Sequence, residues 1–153
     1  IYRMDILKKI GGLDEQHFAY LEDVDLGYRA RIDGFENWYT PEAKVYHVGS
    51  ATTGTRYNEK KVFLAARNTI FVIYKNMPLL QLFINLPFIL AGMIVKTLFF
   101  VKKGFEKDYW SGICEGVRDC HKCRKVSFVG KNVPHYLKIQ LELWKNIVRI
   151  LGA

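Results

Sequence analysis

"FAYLEDVDLGYRARIDG", residues 18–34, governs the reading of the whole chain. An aromatic and apolar approach, Phe18 to Leu21, runs into three carboxylates within four positions, Glu22, Asp23 and Asp25, and arginines follow at 29 and 31. The pattern predicts a helix that begins at the acidic cluster and stops at Gly34. Acidic residues in a first turn complement the helix macrodipole, by ~0.3–1 kcal/mol each at a surface. The same crowding suits a general base held among like charges beside a bound cation. Neighbouring segments bear on the choice.

With 153 residues, half of them hydrophobic, the chain can bury one sizeable core. It opens on Ile1 with no charged segment leading into an apolar one, so no signal peptide is expected and the chain reads as a piece of a longer protein. Charge is unevenly divided. Residues 1–60 hold 8 Lys+Arg against 10 Asp+Glu, whereas residues 61–153 hold 15 against 5. The basic residues of the second half flank long apolar runs and form no continuous positive stripe, which favours an anionic membrane surface over nucleic acid. The run "NMPLLQLFINLPFILAGMIV", residues 76–95, is uncharged for twenty residues. Pro87 interrupts it, and proline removes a helical donor, so a break with restart at Phe88 is expected. A helix from Phe88 to Val101 would reach only ~21 Å, short of a ~30 Å hydrocarbon core, so an interfacial or reentrant hairpin is preferred to a span. A buried helical hairpin is the competing reading.

Punctuation orders the remainder. "YRMDILKKI", residues 2–10, reads as a short helix stopped by Gly11 and Gly12. "FENWYTPEAKVYHVGS", residues 35–50, suggests two short strands around Pro41. From Glu59 the chain looks helical, and "KKVFLAARNTIFVIYKN", residues 60–76, is apolar on nearly all sides and expected to be buried. Arg67 and Asn68 sit inside that run, where an unpaired charge is expensive, and an internal partner is preferred over a bound diphosphate. In the last helix Leu137, Leu141, Trp144, Val148 and Leu151 form one narrow stripe suited to a core or a membrane face. Cys114, Cys120 and Cys123 with His121 spell a weak zinc pattern, and reduced thiols are the better reading.

The order GG-x-DE, then ED-x-D with trailing arginine, then a proline-bearing strand, then His-x-Gly-Ser resembles the second half of the catalytic domain of family-two glycosyltransferases, closest to the rhamnosyltransferase-like branch. The resemblance covers residues 1–76 and implies an α/β fold: the second half of a GT-A-type nucleotide-diphospho-sugar transferase domain with few short strands. A helical, basic extension follows at 77–153. It implies inverting transfer of a sugar, with rhamnose a candidate, from a nucleotide-diphosphate donor to a cell-surface polysaccharide or lipid-linked acceptor, at the cytoplasmic face of the cell membrane.

Residue roles follow from that resemblance. Asp23 takes the position of the base that removes the acceptor proton, and Glu22 that of a partner for acceptor hydroxyls; Glu22 and Asp25 as like charges would keep Asp23 basic. Gly11, Gly12, Asp14 and Glu15 would line the donor-sugar and acceptor side of the cleft. Asp25 and Arg29 are further substrate-binding candidates, and Arg56 in "GSATTGTRYN" would hold diphosphate oxygens. His47, twenty-four residues past Asp23, would complete a divalent-metal site, Mn²⁺ or Mg²⁺, most of whose ligands are expected upstream of Ile1. The bland readings are a C-cap and turn for Gly11, Gly12, Asp14 and Glu15, a polar connector for the loop of Arg56, and packing or a hydrogen bond to diphosphate for His47. No DxD with strand context precedes the acidic helix, so this chain alone is expected to be inactive. Two alternatives stay open: a non-catalytic membrane-surface module, and a small zinc adaptor built on residues 114–123.

Overall fold

A computed structural model of the chain describes residues 1–46 and 57–152. The described residues form α1 (Met4–Ile10), α2 (Glu22–Ile32), α3 (Glu59–Asn76), α4 (Leu79–Lys103), α5 (Glu106–Asp119) and α6 (Val133–Leu151), joined by single 3-10 turns and loops. No strand occurs among them, and the expected α/β architecture is overturned: these residues are helical. Residues 35–46, read as strands, form no ladder: Pro41 and Glu42 make a turn, the Ala43 N–H donating to the Thr40 carbonyl at 3.1 Å, and Trp38, Tyr39, Val45 and Tyr46 are each more than 80% exposed. Alternating β-branched and aromatic residues make a strand only where a neighbouring strand accepts the hydrogen bonds and covers one face. No described residue supplies one. Residues 47–56, including His47 and Arg56, lie outside the described residues.

α3 and α5 form the most intimate helix pair. Val62 and Ala66 of α3 meet Tyr109 and Ile113 of α5, with Ile70, Met93, Phe100 and Phe105 packed around them. Gly112 and Gly116, one turn apart, let the two backbones approach. A Cβ at Gly112 would stand 2.3 Å from the Phe63 carbonyl oxygen and 2.9 Å from Ala66 Cβ. Gly112→Ala should therefore lower stability, although alanine is the better helix former by ~1 kcal/mol. Overpacking against backbone costs ~1–3 kcal/mol and no rotamer change relieves it. A fall in the urea midpoint at unchanged m-value is the expected reading. A rise in the midpoint would mean that the helices are not held this close.

A second core joins α2 to α6, where Ile32, Tyr136 and Ile139 are buried among Tyr28, Val126 and Leu143. Gly34 ends this junction at φ 91°, and a Cβ there would lie 2.7 Å from the His135 ring. That crowding, as well as the left-handed backbone, favours glycine.

α4 departs from expectation too. It runs unbroken for 25 residues through Pro87, a length of ~37 Å. Proline deletes one rung of the ladder, but eight helical residues precede it and sixteen follow. The Asn85 amide anchors the segment just before it, donating to the Gln81 carbonyl at 2.7 Å and to Gln140 Oε1 of α6 at 2.7 Å. α4 is not the buried hairpin of the competing reading either. Only Gln81 and Asn85 are buried along it.

Candidate functional site

Between α1 and α2 the chain makes a turn that ordinary residues resist. Phe18, Tyr20 and Leu21 have φ of 58°, 72° and 66°, left-handed values that side chains with a Cβ rarely adopt. Each costs on the order of 1–3 kcal/mol, and such strain persists only where surrounding structure imposes it. The imposing groups are identifiable. Asn68 of α3 is fully buried, and its amide nitrogen lies 2.8, 2.8 and 2.7 Å from the carbonyl oxygens of His17, Ala19 and Tyr20. Arg67 donates to the Gln16 and His17 carbonyls at 3.3 Å each, and reaches Glu115 of α5 at 3.4 Å. Both residues thus find the internal partners that an apolar helix requires of them.

Beneath the turn lies a buried ionic cluster. Asp25, 0% exposed, accepts from Asn76 at 2.9 Å through Oδ1, and from Arg29 Nε and Lys75 at 2.9 Å each through Oδ2. Lys75 also donates to Asp14 at 2.5 Å, and the Arg29 fork reaches the carbonyls of Ile10, Gly11 and Gly12 at 2.6, 3.1 and 2.6 Å. Asp14 caps the 3-10 turn Glu15–His17 by accepting from the Gln16 N–H. α1, the turn, α2 and α3 are thereby tied together. Burial by itself would raise the Asp25 carboxyl, but the hydrogen bonds from Asn76 and Lys75 and the Arg29 charge outweigh it and hold it below the ordinary value of 3.8. Asp14 is lowered in the same way, burial being outweighed chiefly by Lys75.

His17 is buried at 0% exposure with its ring edge-on to Phe71, and neither ring nitrogen has a hydrogen-bond partner among the described residues. Burial pushes its pKa below the ordinary 6.5, against the attraction of Asp25 and Asp14. A depressed folded value means that the unfolded chain takes up the proton first, so stability is full above pH 6.5 and declines as pH falls through the depressed value. Asp14 and Asp25 add a second decline below 3.8. Melting temperature against pH should fall in two stages. His17→Leu should remove the upper stage alone; an unchanged upper stage in that variant would assign it to another group.

The outcome of this framework is what it leaves outside. Asp23 is exposed at the start of α2, its Oδ1 accepting from the Val24 N–H at 2.8 Å. Glu22 beside it is half-buried, and its Oε2 has no partner among the described residues. The structure separates the carboxylates that the sequence crowds together, turning Asp23 outward and Asp25 inward. Asp25 is charge-compensated by Lys75 and Arg29, so it is not the bare like charge expected beside Asp23. Of the substrate-binding candidates, Gly11, Gly12 and Asp14 join Asp25 and Arg29 in the internal framework, while Glu15 is exposed in the 3-10 turn.

Sequence reasoning missed Lys75, Asn76 and His17. A lysine and an asparagine closing an otherwise apolar helix were the available signal for the first two.

The described residues do not converge on a cation: no group of three His, Cys, Asp or Glu among them is disposed to hold one. Asp25, which shares the DVD spelling with Asp23, has its oxygens engaged by Asn76, Lys75 and Arg29. The cysteines are free. Cys114 is exposed, Cys120 half-buried, and buried Cys123 has its thiol pushed up to about 11 by burial.

Comparison with known proteins aligns the chain with sugar-transferring enzymes. Over 77 residues, 45% of this chain, it is 34% identical to the N-acetylglucosaminyl-diphospho-decaprenol L-rhamnosyltransferase of Mycobacterium tuberculosis, strains CDC 1551 / Oshkosh and ATCC 25618 / H37Rv. The chain spans about a quarter of the length of these relatives. No family model and no solved structure matches it.

Proposed function

We propose that the chain is part of an inverting glycosyltransferase that passes a sugar from a nucleotide-diphosphate donor to a lipid-linked or polysaccharide hydroxyl. Rhamnose is the favoured sugar, after the activity in the relatives' name. The observation that carries the proposal is the strained turn at Phe18–Leu21, fixed from below by Asn68 and Arg67, which holds Asp23 outward at the helix start. A plain macrodipole complement needs no such strain. A base for hydroxyl activation does need fixed geometry, within ~3 Å of the proton it removes.

Asp23 deprotonates the acceptor hydroxyl as that oxygen attacks the anomeric carbon, and the nucleoside diphosphate departs from the opposite face. Glu22, half-buried in the same first turn, stands beside Asp23 as the partner for a neighbouring acceptor hydroxyl. Asn68 is a positioning residue that acts through the turn, while Asp25, Arg29 and Lys75 position α2 against the segment Ile10–Asp14. Gly11, Gly12 and Asp14 stand behind it, and Glu15 is its solvent-facing edge. Turnover belongs to the natural protein containing these residues, with donor-binding groups supplied by the rest of the polypeptide.

The test is transfer of label from nucleotide-sugars to lipid extract by that protein, with and without Asp23→Asn. Loss of transfer at unchanged melting temperature supports the proposal. Full transfer by the variant would leave Asp23 as a helix-start residue only.

A further inference from the structure

Twelve large apolar side chains of α4 face solvent, from Leu79 at 75% exposure through Phe83 at 76% and Leu90 at 49% to Ile94 at 62% and Leu98 at 60%. The helix is apolar and long enough to cross a membrane by composition and length. Its attachments argue for a different orientation. Near its start Gln81 accepts from the Tyr28 hydroxyl of α2 at 3.1 Å, and Asn85 exchanges hydrogen bonds of 2.7 and 3.0 Å with Gln140 of α6. Toward its end Met93 and Phe100 pack on the α3–α5 core. One side of α4 is therefore bound to the domain at both ends. α5 carries Glu106, Lys107, Asp108, Glu115, Arg118 and Asp119, which a spanning α4 would drag toward hydrocarbon at high cost.

The free side of α4 continues onto α6. A groove of about 750 Å³ joins them, with Leu79, Leu80 and Ile84 on one wall, and Val133, Tyr136 and Leu137 on the other. Beyond it α6 exposes Leu137, Leu141, Trp144 and Val148, the stripe legible in the sequence. The charge around this apolar face is predominantly positive. α4 contains no acidic residue and carries Lys96, Lys102 and Lys103. From residue 120 to 152 seven Lys and Arg stand against one acid, Glu142, which is engaged by Arg31. Lys125 borders the groove, and Lys145 and Arg149 flank Trp144 and Val148.

We infer that α4 and α6 together form one docking surface for an anionic bilayer, on which α4 lies in the membrane plane and does not cross it. Exposed apolar side chains enter the acyl boundary, ~5–10 Å deep, while lysines and arginines meet the headgroups. The inference is independent of the transfer chemistry and stands if Asp23 proves inert.

The experiment uses the protein at natural length with vesicles of 70% phosphatidylcholine and 30% phosphatidylglycerol, and with phosphatidylcholine alone. Binding by flotation should prefer the anionic vesicles. Leu90→Glu with Ile94→Glu should reduce it roughly a hundredfold, and Lys145→Gln with Arg149→Gln about twenty-five-fold on the anionic vesicles only, near fivefold per charge. Circular dichroism of each variant establishes that it folds. Nitroxide labels at Phe83→Cys, Leu90→Cys and Leu98→Cys, with Cys114 and Cys120 changed to serine, should report one common shallow depth. Depths stepping by ~10 Å from label to label would mean a span and overturn the inference. So would absence of vesicle binding, or a soluble dimer that the Leu90/Ile94 variant dissociates.

Discussion

Asp25→Ala should lower the melting temperature by roughly 6–20 °C, the change expected when ~3–5 kcal/mol is lost from a domain of this size. The carboxylate is wholly buried with two cations, Lys75 and Arg29, beside it at 2.9 Å, and with Asp14 on Lys75 it balances the charge of the cluster. Removing it leaves Lys75 with Asp14 and leaves Arg29 with three backbone carbonyls, so a buried positive charge goes uncompensated. Breaking one partner of a buried pair costs far more than the pair contributes, because the desolvation of the survivor is no longer offset. Total stabilities run about 5–15 kcal/mol, so the loss takes a large share of the margin. Asp25→Asn should be milder, since an amide oxygen turned toward Lys75 and Arg29 still accepts from both, at the cost of the bond from Asn76. A change below ~0.5 kcal/mol in the alanine variant, the level of a surface substitution, would remove the cluster from the fold's energetics.

The sequence carried the helices because helical periodicity and caps are local. α1, α2, α3 and α6 can be read from glycine stops, acidic starts and apolar spacing, with ends shifted by a few residues. It misled at residues 35–46, where alternation was read as pairing; a strand is a statement about a neighbour that local pattern does not contain. It misled at Pro87 for the opposite reason. A strong local breaker was overridden by the length of apolar helix on both sides and by the tertiary tie of Asn85 to Gln140. Within the candidate site, the acidic start of α2 was legible and the division of labour inside it was not. Asp23 and Asp25 are two positions apart, about 200° around a helix, so one faces solvent when the other faces the core. Which faces which depends on Lys75 and Asn76, fifty residues downstream.

That division makes the two aspartates a matched pair of tests. Asp23→Asn should reduce kcat by roughly 10²–10³-fold, within the range that a positioned general base contributes, and leave KM nearly unchanged. The amide keeps the shape and the oxygen that accepts from Val24, so the turn and helix start persist and the melting temperature should stay within a degree or two. Asp23→Glu retains a carboxylate but lengthens the side chain by one methylene; because the backbone at Phe18–Leu21 is pinned, the turn cannot retreat to compensate, and roughly 10²-fold loss is expected even so. A flexible turn would absorb that methylene. The glutamate variant therefore separates a base that needs a rigid platform from a carboxylate that needs only its charge: near-normal transfer by Asp23→Glu would mean that the strain at residues 18–21 serves something other than aiming this group.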